Sequence, residues 1–447
     1  MSAPSYNITA SFRRPMPTIP TASSFPTDPA ALLQTPPGLL DDLDPLAEYR
    51  AEFHLPRAED GSPLLYFVGN SLGLQPRSAR ALVEEEMDAW ARLGVEGHFK
   101  KEHPWMSYHE ALSEQMAAVV GGLPDEVVIM NSLTVNLHLM LVSFFRPTAS
   151  RFKIVMEAQA FPSDRYAVVS QLEHHGLDPA EALVMLPPRP GEVTLRTEDI
   201  VAYLDREGAS VAVVLLGGVN YYTGQAFDLQ KITEAAHAKG CIAGFDCAHA
   251  AGNLALQLHD WDVDFAVWCT YKYLNAGPGA LAGCFIHQRH ARRSDLPRFA
   301  GWWGHDKATR FLMPDTFTPI SSAEGWQLSN PPILSLAPLR ASLALFAAAG
   351  MPALRNKSKH LTGYLSALIE DRAGEAVEIL TPSEPDQRGA QLSLRVRRDA
   401  RRVFEHLSKE GVLCDWREPD AIRVAPAPLY NYFTEVYRFV EILQAAL

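Results

Sequence analysis

Cysteine is scarce. Cys241, Cys247, Cys269, Cys284 and Cys414 are the only five in 447 residues, an odd set without one C-x-x-C. Four of them lie in apolar, strand-like stretches, which argues against a disulfide framework or a cysteine zinc site and predicts reduced, buried thiols in a cytoplasmic protein. Basic charge is short as well, with 40 Lys and Arg against 52 Asp and Glu and a net charge of −12. A general electrostatic hold on nucleic acid or an anionic membrane needs a basic face and is therefore not expected, although a small anion could still find a local pocket. Apolar runs such as Val211–Leu216 fall far short of the roughly 20 residues that span a bilayer. Internal repeats and low-complexity tracts are absent. Residues 1–27 contain no acid, two arginines (Arg13, Arg14) and five prolines. So many prolines spoil an amphipathic targeting helix, and the segment reads as a mobile arm.

What is present is an ordinary globular composition, 47% hydrophobic and 21% charged, at a length that suggests two or three domains. Leu112, Met116, Val119 and Val120 follow a helical spacing. Near-continuous apolar runs come next, at Phe152–Met156, Ser210–Leu216, Cys241–Phe245, Phe265–Cys269 and Leu281–Ile286, with helical patterns such as Leu229–Lys239 between several of them. That alternation predicts an α/β domain with a mostly parallel sheet covered on both faces. Polar chemistry is then expected at the carboxyl ends of the strands. The texture changes at Ser329-Asn330-Pro331-Pro332, where a smaller α+β unit begins. The expected division is an N-terminal arm over 1–60, a large domain over 61–335 and a small C-terminal domain over 336–447.

Three segments carry chemistry. Gly244-Phe245-Asp246-Cys247-Ala248-His249 and Thr270-Tyr271-Lys272-Tyr273-Leu274 each follow a predicted strand, and Asn131-Ser132-Leu133-Thr134 opens a predicted helix. An acid and a lysine at neighbouring strand ends, with a helix N-terminus nearby, suit pyridoxal 5′-phosphate. The lysine forms the Schiff base, the carboxylate keeps the ring nitrogen protonated, and amide and hydroxyl donors hold the phosphate. Each residue also has a plainer reading: Lys272 a solvated surface lysine, Asp246 and the hydroxyls of Ser132 and Thr134 helix caps, His249 a core histidine.

Longer stretches resemble kynureninases. Beside Gly244–His249 they are Trp268–Gly277, Asn131–Asn136, Phe161-Pro162-Ser163-Asp164, Gly69-Asn70-Ser71-Leu72-Gly73, Ser329–Pro332 and Ile422-Arg423-Val424-Ala425-Pro426. The resemblance spans about residues 60–447 in the family's order and spacing. It implies a homodimeric, pyridoxal-phosphate-dependent hydrolase of the aspartate-aminotransferase-like fold (fold type I), whose large sheet has seven strands. Such enzymes cleave kynurenine or 3-hydroxykynurenine to the matching anthranilate and alanine, in tryptophan breakdown or nicotinamide cofactor synthesis. Carried over, Lys272 is the Schiff-base lysine and Asp246 the partner of the ring nitrogen. Leu133, Thr134 and Tyr271 reach the phosphate, with Tyr271 also the acid–base of the last proton transfers. Phe161 lies over the ring with Asp164 and His249 beside it. Trp302 and Asn330 come from the second subunit, Arg423 takes the substrate carboxylate, and Ser71 and His98 line the substrate end. Trp302 is also readable as a core or interface aromatic. Gly217 departs from relatives that carry Ser there and is left with a backbone contact at most. His98 and Asn330 match relatives that favour the 3-hydroxylated substrate.

Two other chemistries compete. A cysteine desulfurase of the same fold wants a mobile loop cysteine, and a metallohydrolase built on Asp246, His249 and His305 wants a ligand spacing such as H-E-x-x-H, which is missing. A non-catalytic protein on this scaffold would lack the lysine or the acid, and both are present.

Overall fold

The computed structural model describes residues 25–26, 28–293 and 295–447, so the arm expected over residues 1–27 lies almost wholly outside the described residues. The described strands are β1 (Leu65–Tyr66), β2 (Val127–Met130), β3 (Lys153–Glu157), β4 (Leu183–Leu186), β5 (Val211–Gly217), β6 (Ile242–Asp246), β7 (Phe265–Cys269), β8 (Ala282–Ile286), β9 (Val377–Ile379), β10 (Leu392–Val396), β11 (Val412–Leu413), β12 (Asp415–Arg417) and β13 (Ala421–Val424). Seven of them form one sheet in the order β2-β8-β7-β6-β5-β3-β4. Only β8 runs antiparallel to its neighbours.

The apolar runs are buried because the sheet is covered twice. Along β5, Val213 and Leu215 belong to one core while Val214 and Leu216 belong to the core on the opposite face, the two-residue alternation of a strand. The first of these faces is covered by α5 (Leu133–Phe144) and α6 (Pro162–His174). Against the other pack α4 (Tyr108–Val120), the helix Leu229–Ala238 and the helix Ile333–Ala349. The predicted face of α4 is realised, with Leu112, Met116, Val119 and Val120 all buried. Leu336, Leu339, Leu343 and Phe346 join this same core, and α3 (Ala79–Leu93) packs along their helix.

A third core lies between the antiparallel sheet β12-β13-β10-β9 and the helices Met351–Ala373, Ala400–Lys409 and Phe433–Ala446. Residues 28–53 pack against it. Helices α1 (Pro29–Gln34) and α2 (Pro37–Asp42) bury Leu32 and Leu40 there. A buried ion pair joins Asp44 to Lys357 at 2.6 Å, and Arg50 pairs with Glu435 at 2.7 Å. β1 pairs in parallel with β11. Among the described residues no single helix is long and apolar enough to cross a membrane. The apolar pair Ile333–Ala349 and Met351–Ala373 is bent by 83°.

β3, β5 and β6 run parallel and end together in Glu157, Gly217 and Asp246, with Gly217 opposite Asp246 in the register. The functional side chains gather at this carboxyl edge.

Candidate active site

Lys272 sits on a turn just past β7. The turn is closed by hydrogen bonds from Asn275 N–H to the Lys272 carbonyl (3.0 Å) and from Ala276 N–H to the Thr270 carbonyl (3.0 Å). Asn275 holds a φ of +52°, a left-handed conformation that asparagine tolerates. The Gly69–Gly73 segment docks on this turn, where Gly73 N–H donates to the Tyr271 carbonyl at 2.8 Å. A Cβ on Gly73 would come within 2.3 Å of the Lys272 carbonyl, so only glycine permits the approach.

Lys272 Nζ lies 3.1 Å from His249 Nε2 and 6.0 Å from the Phe161 ring centroid. Burial and the charge of Lys272 push His249 well below its ordinary value, so the imidazole is neutral. Asp246 and Asp164 form a buried carboxyl pair. Burial raises both, with the Asp246 charge adding to the rise of Asp164, while Lys272 draws each back down. Tyr271 is pushed up by burial and by Cys269, so its phenol keeps its proton.

Two helices point their N-termini into the same pocket. α5 starts at Leu133 and α6 at Pro162, and neither has a side-chain cap. The hydroxyls of Thr134 and Ser163, one from each first turn, touch at 2.9 Å. Free N–H groups and two hydroxyls at paired helix N-termini make an anion cradle of the kind a phosphate ester fits. Asp164 Oδ1 and His249 Nδ1 are buried without hydrogen-bond partners. Two orphaned atoms beside a lysine amine and a strand-end aspartate leave room for a ring with its own polar substituents, and the set suits pyridoxal 5′-phosphate.

One pocket therefore collects Leu133, Thr134, Phe161, Asp164, Gly217, Asp246, His249, Tyr271 and Lys272, together with Glu157, Ser163 and Tyr221, which the sequence reading did not name. Ser163 stood inside the quoted Phe161–Asp164 motif. Glu157 carried the same signal as Asp246, an acid closing an apolar strand. Tyr221, edge-on to Phe161 at 5.2 Å, had no such signal.

Arg423 adjoins this pocket through Tyr221, whose carbonyl accepts from Nη1 at 2.8 Å. Its guanidinium is buried and engaged by Asp415 and, at 3.0 Å, by the Ser71 hydroxyl. Burial would raise the Asp415 carboxyl, but the hydrogen bonds and charge of Arg423 outweigh it and hold it low. His98, Trp302 and Asn330 are not brought to Lys272 within one chain. His98 is on the turn after α3, its Nδ1 3.0 Å from the Val95 carbonyl. Trp302 is half-exposed and donates to the Arg310 carbonyl, and Asn330 is exposed.

Solved structures with the same fold include a C-DES mutant with glycine covalently linked to its PLP cofactor (TM-score 0.73, 17% identity, 86% of this chain and 97% of that one). A cysteine desulfurase from Thermococcus onnurineus NA1 matches with TM-score 0.69 and 17% identity over 86% and 94%. Sequence comparison is more specific. A family model described as the kynureninase C-terminal domain matches residues 354–443. A kynureninase of Myxococcus xanthus is 61% identical over 405 residues, covering 91% of this chain and 95% of the relative. One of Koribacter versatilis is 58% identical over 408 residues, covering 91% and 96%. The chain belongs to the kynureninase family. The desulfurase reading has no support in the cysteines, since Cys241, Cys247, Cys269 and Cys284 are buried and burial pushes the Cys414 thiol up to about 12. The metal reading loses its third ligand, because His305 is tied to Thr309 and to the Thr318 N–H.

Proposed function

We propose that this member of the kynureninase family hydrolyses L-3-hydroxykynurenine, and L-kynurenine less readily, to the matching anthranilate and L-alanine in the Lys272 pocket. The observation that carries the reading is the Lys272–His249–Asp246–Asp164 cluster facing two uncapped helix N-termini. Pyridoxal 5′-phosphate bound there supplies the electron sink for the carbanionic steps that break the carbon–carbon bond.

The chain's own residues do the rest. Thr134 and Ser163 and the first N–H groups of α5 would hold the phosphate, and Phe161 would lie against the ring. Asp246 would face the ring nitrogen, and a protonated ring nitrogen would supply the counter-charge that its burial demands. Lys272 Nζ takes the substrate's α-proton, and neutral His249 at 3.1 Å accepts its hydrogen bond and orients it. The Tyr271 phenol, held protonated, donates in the final proton return to the alanine fragment. Arg423 receives the substrate carboxylate by sharing or exchanging Asp415, since a planar guanidinium offers the bidentate match.

A homodimer with shared sites completes this arrangement. Phe299, Trp302, Phe311, Leu312 and Met313 are all exposed around the Gly301–Gly304 turn, an apolar patch that a second copy would cover. Trp302, Asn330 and His98 then reach the partner's pocket, where His98 and Asn330 meet the 3-hydroxyl. Lys272→Ala tests the assignment: it abolishes turnover and the absorbance of lysine-bound cofactor, and steady-state activity in the variant would overturn it.

A further inference from the structure

The register of the small sheet gathers charge on one face. Asp415 on β12 stands directly opposite Arg423 on β13, and Arg417, two residues along β12, points to the same side. Arg395 on β10 shares this face through its pairing with Ala421, but Asp420 holds it at 2.7 Å and Glu378 lies at 3.4 Å.

Arg423 is 1% exposed, and its donors are nearly all spent. A guanidinium carries five N–H groups. Nε donates to Asp415 Oδ1 at 2.6 Å, Nη2 to Asp415 Oδ2 and to the Ser71 hydroxyl at 3.0 Å, and Nη1 to the Tyr221 carbonyl at 2.8 Å. Among the described residues that leaves one N–H. A carboxylate bound in the bidentate manner needs two, so the substrate carboxylate engages this arginine fully only if a resident partner leaves. Asp415 is the partner that a second carboxylate repels, like charge against like. Its side chain is 15% exposed, and a carboxylate so far from water cannot be left without a counter-ion.

Arg417 stands where that counter-ion is needed. Its side chain is 37% exposed, and Nη2 is 3.3 Å from Asp415 Oδ2. Its one further bond among the described residues runs from Nη1 to the Trp416 carbonyl at 3.3 Å. Three N–H groups are therefore available for a firmer grip on the acid. Arg417 also faces the pocket: after burial, the charges that push His249 down are those of Lys272, Arg423 and Arg417, in that order.

We propose that Arg417 is a positioning residue for substrate binding: as the substrate's α-carboxylate takes the Arg423 fork, Asp415 passes to Arg417, so that neither carboxylate is left unpaired. Arg417 touches neither substrate nor cofactor and acts through Asp415. The inference rests on the assignment of Arg423 to the substrate carboxylate.

The test is Arg417→Met, which keeps an apolar stem at a half-exposed position and removes the fork. In the pyridoxal-phosphate-loaded enzyme it raises KM for kynurenine about tenfold, the least that a hydrogen bond to a charged group is worth, with kcat changed by less than about twofold. Kynurenamine, the same amine without the α-carboxylate, competes equally well in wild type and variant, whereas a general loosening of the small domain would weaken both ligands alike. Arg417→Lys, which keeps the charge, recovers most of the loss. The exchange itself is read from a crystal structure of the loaded wild-type enzyme with L-alanine, in which Asp415 is bonded to Arg417 and has left Arg423 Nε. Asp415 still on Arg423 in that structure, an unchanged KM in Arg417→Met, or equal losses for kynurenine and kynurenamine would overturn the proposal. Arg423→Lys separates this outcome from failure of the site assignment. Undiminished kynurenine affinity in that variant would overturn the placing of the substrate carboxylate at Arg423, while a loss there with Arg417→Met silent overturns the role of Arg417 alone.

Discussion

Gly244→Ala probes how the sheet delivers Asp246 to its place. A Cβ on Gly244 would lie 2.1 Å from Phe265 Cζ and 2.5 Å from both Cε atoms. Non-bonded carbons settle about 3.5–4.0 Å apart, so the ring would have to retreat by about 1.4 Å. It has nowhere to go, being fully buried and stacked on Phe144 at 5.0 Å and 23°. Overpacking of this kind costs about 1–3 kcal/mol. Alanine recovers roughly 0.5–1 kcal/mol over glycine in a strand interior, leaving a net loss of about 1–2 kcal/mol. Gly244, two residues before Asp246, pairs with Phe265, seven residues before Lys272, across β6 and β7. Relief by separating those strands changes the spacing of acid and lysine, and misplacement by about 1 Å lowers turnover on the order of 10²-fold. Urea unfolding of the apoprotein reads the first effect and kcat/KM of the loaded enzyme the second. An unchanged urea midpoint together with unchanged kcat/KM would refute the reasoning.

Lys357→Met strips the buried Asp44 carboxylate of its counter-ion and costs about 3–5 kcal/mol in chemical denaturation; Lys357→Met with Asp44→Leu recovers most of it, and a single variant within 1 kcal/mol of wild type would contradict the pairing. His98→Ala and Asn330→Ala each lower kcat/KM for 3-hydroxykynurenine about tenfold more than for kynurenine, the worth of one hydrogen bond to the hydroxyl. Equal losses for the two substrates would remove these residues from the ring-hydroxyl site.

Much of this was legible in the chain. Runs such as Cys241–Phe245 and Phe265–Cys269 are apolar on both faces because both faces are covered, and an acid or lysine just past such a strand stands at the edge where ligands bind. Ser71 and Arg423 are 352 residues apart in sequence, and no local pattern announces that Asp415 already holds the arginine. That contact depends on the Gly69–Gly73 segment docking on the Lys272 turn and on β12 pairing with β13. The folding of residues 29–53 onto the C-terminal helices was equally hidden, since two six-residue helices with proline at their starts carry little periodicity. Glu157 was overlooked for a different reason: the strand was read as ending at Met156, one residue short of the acid that closes it.

The most direct test is to give purified, pyridoxal-phosphate-loaded protein kynurenine and 3-hydroxykynurenine separately and to follow alanine and the anthranilate together. The account predicts equimolar release of both products, faster from the hydroxylated substrate, and none from Lys272→Ala. Lysine-bound cofactor without release of either product would contradict the substrate claim while leaving the fold and Lys272 in place.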